Sequence, residues 1–92
     1  MVTLRIKKIY FDQILKKEKK VEFRDYKNYY CRLFSKNPKF LKLHYQKNIF
    51  LIVEIKKIVV VKTSKFLKDS NVSFGNNVFK IYLGEIVEIG KS

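Results

Sequence analysis

The chain has one cysteine, one proline, three glycines and one histidine among its 92 residues. A lone thiol, Cys31, cannot build a disulfide framework, so a reducing, cytoplasmic setting is expected. A small buried hydrophobe is the natural role for it. The solitary His44 has no histidine or cysteine at metal-ligand spacing, so no zinc site is expected, and no cofactor; an exposed strand position suits it. Scarce proline and glycine leave no linker or low-complexity tract. Long hydrophobic runs are missing as well. Ile49–Val53 and Ile58–Val61 fall far short of the roughly 20 apolar residues that span a bilayer. The N-terminus, Met1-Val-Thr-Leu-Arg-Ile-Lys-Lys, meets charge at once and offers no apolar signal core. Neither membrane insertion nor export is expected.

Negative charge is the other shortage. Eight Asp and Glu stand against twenty-one Lys and Arg, a net charge of +13. Such an imbalance draws in polyanions over distances near a Debye length, roughly 8 Å at physiological salt. An AT-rich coding sequence, which enriches Lys together with Asn, Ile, Phe and Tyr, is the competing explanation. Lysine far outnumbers arginine, which favours general attraction over bidentate recognition. What the chain has in quantity is apolar: 47% hydrophobic and 15% aromatic residues exclude disorder despite 32% charged ones. Ninety-two residues give room for one core, so a single domain over 1–92 is expected.

Thr3–Lys7 alternates, with Leu4 and Ile6 on one side, and predicts a first strand. Tyr10, Phe11, Ile14 and Leu15 follow at helical spacing, with Asp12 read into the first turn and Lys16 and Lys17 into the last, matching the helix dipole. Lys20–Asp25 alternates again, Val21 and Phe23 on one face and Lys20, Glu22 and Arg24 on the other. Asp25 is the expected N-cap of a second helix reaching about Phe34, with an aromatic stripe of Tyr26, Tyr29, Tyr30 and Phe34. Pro38 closes this section. Leu41, Leu43 and Tyr45 form a further strand, and Gln46-Lys47-Asn48 a turn. A β-rich stretch runs from Ile49 to Lys62, bent or broken at Lys56-Lys57. Thr63 or Ser64 is read as the cap of a short helical turn carrying Phe66 and Leu67, and 71–77 as a loop. Val78–Leu83 and Ile86–Ile89 complete the strands, with Gly84 a bulge or bend between them. The sum is an α+β, mostly β domain with two short helices near its start.

The stretch from Tyr10 to Arg24 carries a more specific signal. Lys19, Glu22 and Arg24 match the Lys, Glu and Arg of the Gly-x-Lys-x-x-Glu-x-Arg signature, placed after a short helix, of the ASCH family within the PUA-like superfamily. Lys17 stands where that family has glycine. Lys27, Tyr29 and Arg32 are similar to the Lys-x-aromatic-x-x-Arg segment of small phage and prophage members, and Phe79–Ile86 resembles their closing Ile-x-Leu-Gly-x-Ile strand. The resemblance touches both ends of the chain. It implies a PUA-like pseudo-barrel of about five to six strands, with nucleic acid held in a cleft between barrel and helices.

The residues themselves support a site there. On a strand, Glu22 and Arg24 project to one face, about 6.6 Å apart at Cα. A carboxylate between Lys19 and Arg24 would orient both cations, and Arg24 would offer a planar fork to phosphate. Lys27 and Arg32 would add charge at the rim, and Tyr29, Tyr30 and Tyr45 are candidates to stack a base. The plain alternative is a surface ion pair, with tyrosines serving the core.

Three functions follow. The first is binding of RNA, another single strand or a nucleotide through Lys19, Glu22, Arg24, Lys27, Tyr29, Tyr30, Arg32 and Tyr45. The second is hydrolysis of RNA or a modified nucleoside, with Lys19 and Glu22 as the acid–base pair. The amidohydrolase branch of the family uses a threonine nucleophile where this chain has Glu22, which counts against that particular reaction. The third is a phage-type protein that docks on an acidic host protein.

Overall fold

In the computed structural model, which describes residues 1–62 and 77–91, the chain runs β1 (Val2–Arg5), α1 (Lys8–Leu15), β2 (Val21–Asp25), α2 (Asn28–Phe34), β3 (Phe40–Gln46), β4 (Ile49–Lys62) and β5 (Asn77–Lys91). The helical turn expected after Thr63 and most of the 71–77 loop lie outside the described residues. The protein is mostly strand, and its strands form one five-membered sheet curled into a half-barrel, in the order β1-β3-β4-β5-β2. β1 pairs parallel to β3, and every other neighbour is antiparallel.

The period-two pattern decides which face is inside. Val2 and Leu4 of β1, Leu41 and Leu43 of β3, Leu51 and Val53 of β4, and Phe79, Ile81 and Leu83 of β5 are buried in one cluster. Phe11 and Ile14, three residues apart on α1, and Phe34 of α2 close over it. Burying each such side chain stabilises the fold by about 1.5–3 kcal/mol before chain entropy is counted.

Curvature comes from the two longest strands, which run on continuously and bulge where a bend or break was expected at Lys56-Lys57 and a bulge or bend at Gly84. Their ladder slips at three places between Ile52 and Lys57. Ile55 pairs with Leu83 and Lys57 with Tyr82, so Lys56 is an extra residue on β4. Val53 pairs with Ile86, so β5 carries an extra residue at Gly84-Glu85. Bulges of this kind bend a strand and increase its twist. At Gly84 the Glu54 side chain lies where a Cβ would stand.

Both helix starts differ from expectation. The N-cap of α1 is Lys7, which places Asp12 in mid-helix, hydrogen-bonded to Lys8 at 2.8 Å. Lys16 and Lys17 lie beyond the last turn. The N-cap of α2 is Lys27, because Asp25 is held by pairing with Val78 and belongs to β2. Neither cap makes a side-chain hydrogen bond, so these short helices depend on packing instead. Cys31 is half-buried against the core, and His44 is half-buried in β3, where an exposed position was expected.

Among the described residues no helix is long and apolar enough to cross a membrane.

Candidate nucleic-acid interface

β2 pairs with β5 so that Glu22 lies opposite Ile81 and Arg24 opposite Phe79, two core residues. The polar side of β2 therefore points inward. Glu22 is 4% exposed and is the one charged residue buried among the described residues. An isolated carboxylate there would cost several kcal/mol, so its partners decide whether it can stay.

The partners are present. Glu22 Oε2 accepts a hydrogen bond from Arg24 Nη2 at 3.2 Å, and Glu22 Oε1 accepts the Phe23 amide at 3.0 Å and faces Lys19 Nζ at 3.7 Å. Arg24 Nη2 also donates to the Arg5 carbonyl at 2.9 Å, and Arg24 Nη1 to the Tyr30 hydroxyl at 3.2 Å. Lys19 sits 5.2 Å from the centre of the Tyr10 ring, within cation–π range. The side chains of Lys19 and Arg24 keep 17% and 13% of their surface exposed, so this is not an ordinary surface pair.

Arg5 ends β1 and Arg24 lies in β2, which are the two edges of the sheet. The guanidinium spans the seam of the half-barrel, and Tyr30 of α2 supports it from the side. Arg24 is thus first a structural bridge, with much of its fork already committed.

Lys19, Glu22, Arg24 and Tyr30 come together at this seam. Tyr29 stands 55% exposed beside them, edge-on to Tyr30 with ring centroids 5.1 Å apart. Lys27 turns to Asp25, at 3.5 Å, and Arg32 is exposed on the last turn of α2. Tyr45 does not join the group. It falls where the β3 ladder slips, packs edge-on against Phe11 at 4.7 Å, and lines a separate open cavity with Arg5, His44 and Lys47.

Next to the seam lies a cavity of about 130 Å³ that the sequence reading did not anticipate. Lys17, Lys19, Lys20 and Lys56 line it above an apolar base of Ile14, Leu83 and Ile86, with Gly84 and Glu85 on the wall. The bulges at Lys56 and Gly84-Glu85 bring two of its sides there. Among the described residues no carboxylate lies within 4 Å of Lys17, Lys20 or Lys56.

Lys17 has φ 64°, in the left-handed region that glycine favours. The Glu18 amide donates to the Gln13 carbonyl and the Lys17 amide to the Ile14 carbonyl, the hydrogen-bond pair of a Schellman ending. This turn demands a positive φ at 17, which costs a lysine about 1 kcal/mol relative to glycine.

No protein-family model, curated protein or solved structure matches this chain. Among the described residues no group of three or more His, Cys, Asp or Glu is placed to hold a metal ion.

Proposed function

We propose that this chain is an RNA-binding domain of the ASCH type, which takes a single strand across the seam between β1 and β2. The observation that carries the reading is the buried Glu22, which fixes Lys19 and Arg24 at the seam beside further lysines that have no carboxylate partner among the described residues and the exposed ring of Tyr29. A fixed cation loses less freedom on meeting a phosphate than a mobile one. Tyr29 offers a stacking face for a base, a contact worth about 1–3 kcal/mol in single-strand binders. Both Glu22 oxygens are already engaged, which favours binding over general acid–base catalysis by Glu22 and Lys19.

Titration of a labelled single-stranded RNA tests this at two salt concentrations. Lys19→Ala and Tyr29→Ala should each weaken binding at least fivefold, while Lys62→Ala, at the exposed end of β4, should stay within about twofold. The log–log salt slope should approach −0.7 for each phosphate neutralised. Equal small losses for every lysine removed would reduce the charge to a diffuse attractor and turn attention to an acidic protein partner. RNA cleavage that disappears in Glu22→Gln would establish the hydrolase instead.

A further inference from the structure

We propose that the cavity lined by Lys17, Lys20 and Lys56 takes the terminal phosphate of a nucleic-acid strand, a phosphomonoester; this rests on the RNA-binding reading above. Size is the first argument. About 130 Å³ is well below the roughly 300 Å³ at which small-molecule pockets begin, a size that suits a single phosphate group. An internal phosphodiester would also need an exit for the chain on both sides. A strand end needs only one.

Charge is the second argument. Lys19 is committed to Glu22, yet Lys17, Lys20 and Lys56 still outnumber Glu85 three to one on the wall. A phosphomonoester carries close to two negative charges at neutral pH, whereas a diester carries one. Two surplus ammonium groups match the former. Lysine suits the task, because it meets phosphate as a compact point charge with three donors. The apolar base of Ile14, Leu83 and Ile86 lowers the local dielectric and lengthens the reach of those charges.

The backbone at Lys17 adds a third observation, from conformation rather than size or charge count. Its position at the end of α1, with φ 64°, suits glycine. The equivalent strain after α2 falls on Asn37, at φ 50°, a residue that tolerates the left-handed region. At 17 the fold accepts a lysine that its own backbone disfavours, and that lysine lines the cavity. A cation in the cavity, rather than a stable turn, is what the position provides. Backbone strain of this kind gathers at functional sites.

Removing the Lys17 side chain should move stability and affinity in opposite directions, which a structural role would not do. Internally labelled RNA octamers would carry a 5′-phosphate, a 3′-phosphate or hydroxyls at both ends. The native chain should favour one phosphorylated octamer over the hydroxyl one by about tenfold. Lys17→Gly should melt about 5 °C higher, from relief of the left-handed residue. It should also cut the preference to about twofold or less, with the hydroxyl octamer bound within about twofold of native. A parallel titration with inorganic phosphate, followed by NMR, should shift the Lys20 and Gly84 amides. A Lys17→Gly variant that keeps the full preference overturns the proposal. So does a native chain that binds all three octamers equally, an outcome that leaves the RNA reading intact. No RNA binding together with phosphate-dependent shifts at Lys20 and Gly84 would sink the RNA reading and keep the phosphate site. Absence of both would remove both.

Discussion

Replacing Glu22 with glutamine preserves shape and removes one charge from the seam. In the native chain the carboxylate stands 3.2 Å from Arg24 Nη2 and 3.7 Å from Lys19 Nζ. At an effective dielectric constant near 20, those separations give gross attractions of about 5.2 and 4.5 kcal/mol. Desolvation of three ions offsets most of that, which is why the intact network stabilises far less than the gross figures. Removing one member is different, since the cations stay behind without their counter-charge. Such losses run at about 3–5 kcal/mol. The lower end applies here, because Lys19 and Arg24 retain some access to water and the glutamine carbonyl can still accept from Arg24. About 3 kcal/mol is a large share of the roughly 5–14 kcal/mol expected for 92 residues. Glu22→Gln should therefore fold and melt about 12–24 °C lower. Urea unfolding followed by far-UV circular dichroism should show the midpoint move with m unchanged. A glutamine variant within about 0.5 kcal/mol of native would refute the reasoning, and the network would then count as an exposed pair.

Two more predictions concern the outer side of the sheet. A hydrogen bond from Lys80, with Lys57 also nearby, holds the Tyr82 hydroxyl below the usual tyrosine value. The folded value is depressed, so any stabilisation is present only above the unfolded tyrosine range, is lost as pH falls through the folded value, and leaves neutral pH unaffected. Ultraviolet titration should show one tyrosine ionising ahead of the others, and Tyr82→Phe should remove that early component; a single shared transition in the native chain would contradict it. At Gly90 an added Cβ would meet the Phe50 ring, which also lies 4.2 Å from Lys42 Nζ. Gly90→Ala should cost about 1–3 kcal/mol through overpacking, read from the urea midpoint, and no loss would mean that Phe50 has room to swing away.

The alternating strands were legible in the residues because a half-buried strand writes its burial directly into period two. Val2, Leu4, Leu41, Leu43, Phe79 and Ile81 all face the core as that pattern requires. Lys19, Glu22 and Arg24 were also findable, since three charged residues at strand spacing after a helix form a compact signal. Their direction was not. Charged residues read as an outer face, and only the pairing of β2 with β5 shows them turned inward. Helix ends were missed because Asp12 and Asp25 looked like first-turn and capping residues, whereas the ladder keeps Asp25 in β2. Tyr45 misled because its stacking potential is visible in the chain while its packing on Phe11 is tertiary. The phosphate cavity draws on residues 17, 20, 56 and 84–86, and no local pattern joins them. Lys17 in the glycine position was the one trace of it.

The arrangement of the sheet also sets an order of events in folding. β1 and β2 are separated by only one short helix in sequence, yet they occupy opposite edges. Neither can pair with the other through the ladder. β1 must wait for β3, and β2 must wait for β5, the last of the five strands in chain order. During synthesis the N-terminal third, with both edges and the residues of the seam, has no partner to dock on. The β3–β4 pair is the local one, with Gln46 facing Ile49, so it forms first, and β5 then joins β4 to complete the surfaces that receive β1 and β2. Closure by Arg24 across to Arg5 then comes late, so substitutions at the seam should speed unfolding while leaving the folding rate nearly unchanged.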